Sequence, residues 1–125
     1  MRPQGRYGVI TMCFLVSGFL LAATAWGQPF MLDGTHWQNI SYDAKVTYIK
    51  GIGNMADFEV QADGPKDTRG YCIAYVLVQE FKERSIDSVV KEIDQYYKDN
   101  PQDVYKPVLE VMIRHASKIC PPAKK

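Results

Sequence analysis

The 125-residue chain carries 15 Lys+Arg against 14 Asp+Glu, with 46% hydrophobic and 12% aromatic residues. That length fits one domain and not two. The balanced charge excludes the basic stripe by which nucleic-acid binders hold phosphates, and the apolar content excludes intrinsic disorder.

Arg2 and Arg6 precede an uncharged segment, residues 7–26, whose stretch 9–21 is strongly apolar. Ala22, Ala23, Thr24, Ala25 and Gly27 close it. This is the order of a secretory signal peptide. Cleavage after Gly27 gives a signal over residues 1–27 and keeps Trp26 off the first mature position; cleavage after Ala25 is the other fit. An uncleaved anchor is the competing reading, since ~20 uncharged residues just span a bilayer. Cys13 opens the apolar run, so it does not read as a lipid-modified cysteine. Under either reading residues 28–125 form one domain outside the cytoplasm, periplasmic or secreted, with no membrane contact after cleavage.

Residues 28–39 read as an irregular leader, with Pro29, Asp33 and Gly34 as turn formers and Trp37 and Ile40 as its anchors on the core. Ser41 suits an N-cap with Asp43 in the first turn. Tyr48, Ile49, Ile52, Met55 and Ala56 follow at helical spacing, predicting a first helix over 42–59. Gly51 lies near that stripe, where a missing side chain allows close helix approach. Asp63-Gly64-Pro65 breaks the chain, and Asp67 or Thr68 can cap the next element. Residues 71–81 are ambiguous. Ile73-Ala74-Tyr75-Val76-Leu77-Val78 suits a buried strand, yet Ala74, Leu77, Val78 and Phe81 form a helical stripe. A lone strand leaves its backbone unsatisfied, so a helix is expected.

Ser85 caps the clearest helix. Ile86, Val89, Val90, Ile93, Tyr96 and Tyr97 share one face, and the helix stops before Asn100-Pro101. Pro107 opens the last helix, lined by Val108, Val111, Met112, His115 and Ile119, with Cys120 at its end before Pro121-Pro122. With Cys13 set aside, Cys72 and Cys120 remain. An even pair in an exported chain points to a disulfide. The pair lacks the close spacing of zinc ligands, and no CxxC is present for redox work. The expected fold is all-α: a compact bundle of about four helices stapled by Cys72–Cys120.

Chemistry is sparse. There is no GxSxG, HExxH or phosphate-binding glycine loop, and Gly51-Ile52-Gly53 lies inside a predicted helix. His115 sits on an apolar stripe, as a core or rim histidine would. His36 and Asp33 supply only two candidate metal ligands. Ser117 and His115 point away from each other on a helix. Catalytic residues, metal ligands and a cofactor are therefore not assigned. Tyrosines are the more suggestive feature, being apolar with a polar tip. Tyr42, Tyr97 and Tyr105, near helix ends, are the candidate partner-binding residues. Lys82, Glu83, Arg84 and Asp87 cluster at a turn, as a solvated surface or a steering patch.

Two stretches resemble known proteins. Asp33-Gly34-Thr35-His36-Trp37, then Ser41, Lys45 and Tyr48-Ile49-Lys50-Gly51, is similar to the opening of small exported bacterial proteins of unknown function. Cys72-Ile73, Tyr97-Lys98-Asp99-Asn100-Pro101, Val108-Leu109 and Ile119-Cys120-Pro121 resemble the Rap/Tai-type periplasmic immunity proteins. The sequence departs at Ala74, where that family has proline, and at Ile119, where it commonly has an aromatic. The resemblance implies a helical, disulfide-linked protein that neutralises amidase effectors injected by type VI secretion. The expected function is a protein-binding module without catalysis, with another protein as partner and a homodimer compatible. A periplasmic acid-stress chaperone is the alternative, since carboxylate protonation can loosen an interface.

Overall fold

The computed structural model describes residues 31–122. The expected signal peptide, its expected cleavage site and Cys13 lie outside the described residues. The helices run α1 Gly34–Trp37, α2 Tyr42–Gln61, α3 Arg69–Glu83, α4 Ile86–Asp99, α5 Val108–Met112 and α6 Arg114–Ile119, with a 3-10 turn at Pro101–Asp103. The fold is all-α, with three long helices and the disulfide Cys72–Cys120. Among the described residues, no helix is long and apolar enough to cross a membrane.

The expected caps form. Ser41, Thr68 and Ser85 accept the backbone N–H groups of Ala44, Tyr71 and Ser88, each satisfying a donor that the helix start would leave open. Residues 71–81 are helical, and Ala74, Leu77 and Val78 are buried. The stripe on α4 buries Val89, Val90, Ile93 and Tyr97.

Two apolar clusters form the core. The larger joins Trp37, Ile49, Val89, Val90, Ile93, Tyr97, Val108 and Val111. The smaller joins Ala56, Ala74, Leu77 and Val78, and Phe81 touches both. α2 packs on α3 and α4, α4 on α5, and α6 on α3.

Three expectations need correction. The leader is not irregular throughout: Asp33 caps the single turn α1 by accepting from His36 N–H. An isolated antiparallel bridge joins Asp33 to Pro107, and Val108 N–H donates to Leu32 O at 2.8 Å. The close helix approach lies at Gly53, where an added Cβ would stand 2.9 Å from the Phe81 ring, whereas one at Gly51 meets none of the described residues within 4 Å. The last helix is two. Ile113, at φ −86° and ψ 7°, turns the chain between α5 and α6. Val108 and Val111 serve the larger cluster before the bend, and Ala116 and Cys120 face inward after it. His115 and Ile119 are thereby exposed, although they continue the stripe of a straight helix.

The smaller end is latched twice. Cys72 and Cys120, with Cα atoms 5.8 Å apart, link α3 to the end of α6 across 48 positions. Arg69, one turn before Cys72, donates to Ser117 O, Cys120 O and Pro121 O at 2.7–3.0 Å. These are carbonyls that the α6 terminus would leave without donors.

Cys72→Ser should lower stability by up to ~4 kcal/mol, the loop-entropy value for such a closure. Thermal melts of the two proteins check this, and an unchanged midpoint would contradict it. Gly34→Ala should cost about 1–3 kcal/mol by overpacking, because its Cβ would lie 2.5 Å from the Tyr97 ring and 2.7 Å from Val104 O. Urea unfolding measures this loss.

Candidate partner-binding surface

Of the three tyrosines expected at the surface, two are there. Tyr42 is 52% exposed, and its hydroxyl donates to Asp87 Oδ1 at 3.1 Å. Lys91 Nζ lies 2.7 Å from the other oxygen of Asp87. These two contacts, Lys91's first, hold the Asp87 carboxyl below its ordinary range. Tyr105 is 79% exposed, beyond the 3-10 turn. Tyr97 is corrected: it is 1% exposed, and its hydroxyl donates to Lys106 O at 2.8 Å. Burial pushes its phenol well above the usual range, and the Asp33 charge adds to this. The signal was present, since Tyr97 lies four residues past Ile93 on the buried stripe; helical spacing outweighs nearness to a helix end.

Tyr42 and Tyr105 do not form one patch. Tyr42 bonds the first turn of α4, and Tyr105 follows its last turn. The 14-residue α4 puts ~20 Å of helix between those ends. Trp37, the expected leader anchor, is fully buried, and its Nε1–H donates to Asp94 Oδ1 at 2.8 Å.

A groove of about 310 Å³ opens between α2 and α3 at the start of α4. Ile49, Gly53, Val78, Phe81 and Ile86 line it with apolar surface, and Lys50, Asn54, Asp57 and Lys82 give it polar edges. The Gly53–Phe81 approach brings the two helices close at this point.

A second, charged face lies between α3/α4 and α5/α6. Glu80 Oε1 and His115 Nδ1 stand 2.6 Å apart. Glu92 pairs with Arg84 and lies 3.8 Å from Arg114. The Arg114 guanidinium sits 4.8 Å over the Tyr96 ring. Tyr96 donates its hydroxyl to Asp103, which Lys106 also reaches at 3.0 Å. Those two bonds, Tyr96's first, hold the Asp103 carboxyl below its ordinary range. Two clefts of about 240 Å³ share Val111 and Arg114 on this face. Lys82, Glu83, Arg84 and Asp87 thus divide between the groove edge, this ion-pair network and the Tyr42 contact, with Glu83 exposed.

His36 Nδ1 lies 2.8 Å from Asp33 Oδ1, far from His115 in the chain and on a different element. Among the described residues, no group of three or more His, Cys, Asp or Glu side chains gathers as a metal would require. Comparison with protein-family models, curated proteins and solved structures finds no match to this chain.

Asp33 sets a pH dependence. Hydrogen bonds from Thr35, then from the side chain and backbone N–H of His36, lower its carboxyl from 3.8 to about 2. The folded value is depressed, so the stabilisation is complete above the unfolded value. It is lost as pH falls from about 4 towards 2. Asp33→Asn should show a smaller loss of urea stability across that interval than the parent protein; equal acid sensitivity would contradict the assignment.

Proposed function

We propose that this chain is an exported helical protein-binding module without catalytic activity, an immunity-type inhibitor of a cell-wall amidase effector. The observation that carries the binding role is the open apolar groove between α2 and α3. Its floor is apolar and its edges carry both charge signs, as suits one anchoring side chain of a partner with polar contacts around it. Tyr42 and Tyr105 provide further exposed aromatic surface at the two ends of α4. The resemblance at Cys72-Ile73, Tyr97–Pro101 and Ile119-Cys120-Pro121 supports an amidase as the class of partner.

One structural feature favours the acid-stress chaperone as a second reading. Asp33, Asp87 and Asp103 are all held ionised below the ordinary carboxylate range, and each ties down a leader or helix-end contact. Protonation would weaken each of those contacts.

Affinity capture from the native envelope fraction, at neutral pH and again in acid, tests both readings. The expected result is one stoichiometric neutral-pH partner whose amidase activity the protein inhibits. Asn54→Trp, which fills the groove from its exposed edge, should weaken that complex roughly tenfold or more. Many clients bound only in acid would overturn the immunity reading in favour of the chaperone.

A further inference from the structure

Among the described residues, one face of α2 is left without packing. Inward, this helix packs through Ile49, Ile52, Ala56 and Val60. On the far side Ala44, Gly51, Met55, Phe58 and Ala62 follow steps of seven, four, three and four residues. That is the spacing of one helix–helix seam. Met55 and Phe58 are each 65% exposed, and among the described residues nothing lies within 4 Å of a Cβ placed on Gly51. Along one edge run Thr47, Asn54 and Gln61, all exposed and uncharged. Glu59, exposed one turn after Met55, borders the other edge. Large apolar side chains exposed side by side mark an interface more than a solvated face.

We propose that this face binds a second copy of the chain, α2 packing antiparallel on α2 about a two-fold axis at Met55. The sizes along the seam select this occupant and this direction. Phe58 lies three residues after Met55 and Gly51 four before it, so each Phe58 meets the gap over Gly51 of the second copy. Met55 meets Met55. A parallel pairing would instead stack Phe58 on Phe58 and leave Gly51 facing Gly51 across a void. The antiparallel contact is self-complementary, as an isologous dimer requires. A 20-residue helix offers a seam of ~30 Å, at the low end of interface sizes, below ~1,200 Å² in total. The dimer is therefore concentration-dependent. This inference does not rest on the amidase reading.

Sedimentation equilibrium of the purified, disulfide-bonded protein tests it. The parent should shift from monomer to dimer with concentration. Gly51→Glu places its side chain in open solvent in the monomer and replaces glycine with a better helix former, so folding should be retained or improved. It should nonetheless weaken dimerisation roughly tenfold or more, and Phe58→Glu should do the same. Under mild oxidation Met55→Cys should crosslink two chains, and Phe58→Cys should not. A monomer at every concentration up to about 1 mM would overturn the proposal. So would a dimer that both glutamate variants leave intact, or a Phe58→Cys crosslink as efficient as that of Met55→Cys.

Discussion

The leader is anchored on the long helices by the hydrogen bond from Trp37 Nε1–H to Asp94 at 2.8 Å. Trp37 is the largest fully buried side chain, and a buried indole N–H without an acceptor forfeits about 1–3 kcal/mol. Asp94 is kept in place by Lys45 Nζ on the same oxygen at 2.8 Å, and Lys45 stands 5.2 Å over the Trp37 ring. Leader, α2 and α4 therefore meet at one polar point beside an apolar core. The rest of the leader follows from that anchor. Gly34, one turn earlier, comes so close to the Tyr97 ring that no side chain fits. Asp33 then caps the turn, and its bridge to Pro107 carries the constraint to the start of α5.

The two ends of the bundle are stabilised differently. The larger cluster has a tryptophan, a tyrosine and three elements of long aliphatic stripe. The smaller has two alanines, a leucine and a valine as its buried members, so it removes less apolar surface from water. Crosslinking is concentrated at that weaker end. The disulfide limits the unfolded chain, and the Arg69 guanidinium satisfies three carbonyls of the folded one. A small domain has only about 5–15 kcal/mol of net stability, so a closure worth ~4 kcal/mol is a substantial part of it.

Helix starts and the α4 stripe were legible because caps and periodicity are local properties. Ser41, Thr68 and Ser85 act within three residues of themselves, and Val89 to Tyr97 repeat on one face. The Cys72–Cys120 pairing was legible from the count of cysteines in a chain that reads as exported. What was hidden depends on contacts between distant residues. Ile113 bends the last helix although its local sequence has no Gly or Pro: α5 packs on the larger cluster, Ile113 on the smaller, and α6 on α3. The tight glycine is Gly53 and not Gly51 because Phe81, 28 positions on, packs there. At the surface, Tyr42 and Tyr105 were readable as helix-end aromatics, whereas the groove needs α3 and Ile86 beside α2 before it exists.

α2 is the element on which structure and proposed function converge. One side completes both cores, one edge forms the wall of the groove, and the remaining face carries Met55 and Phe58. Gly51 and Gly53, two residues apart, serve opposite sides: Gly53 admits Phe81 within the monomer, and Gly51 leaves room outside it. Each glycine costs helix stability, roughly 1 kcal/mol relative to alanine. For Gly53 that loss is offset by packing that the fold displays. For Gly51 no described residue packs close enough to offset it, and a helix laid against that face would. A scaffold latched by Trp37 at one end and by Cys72–Cys120 at the other holds α2 in place before any partner arrives. Binding to such a preorganised surface loses little conformational entropy. Asn54 stands on both the groove edge and the border of the outer face, so the two surfaces adjoin along one fixed helix.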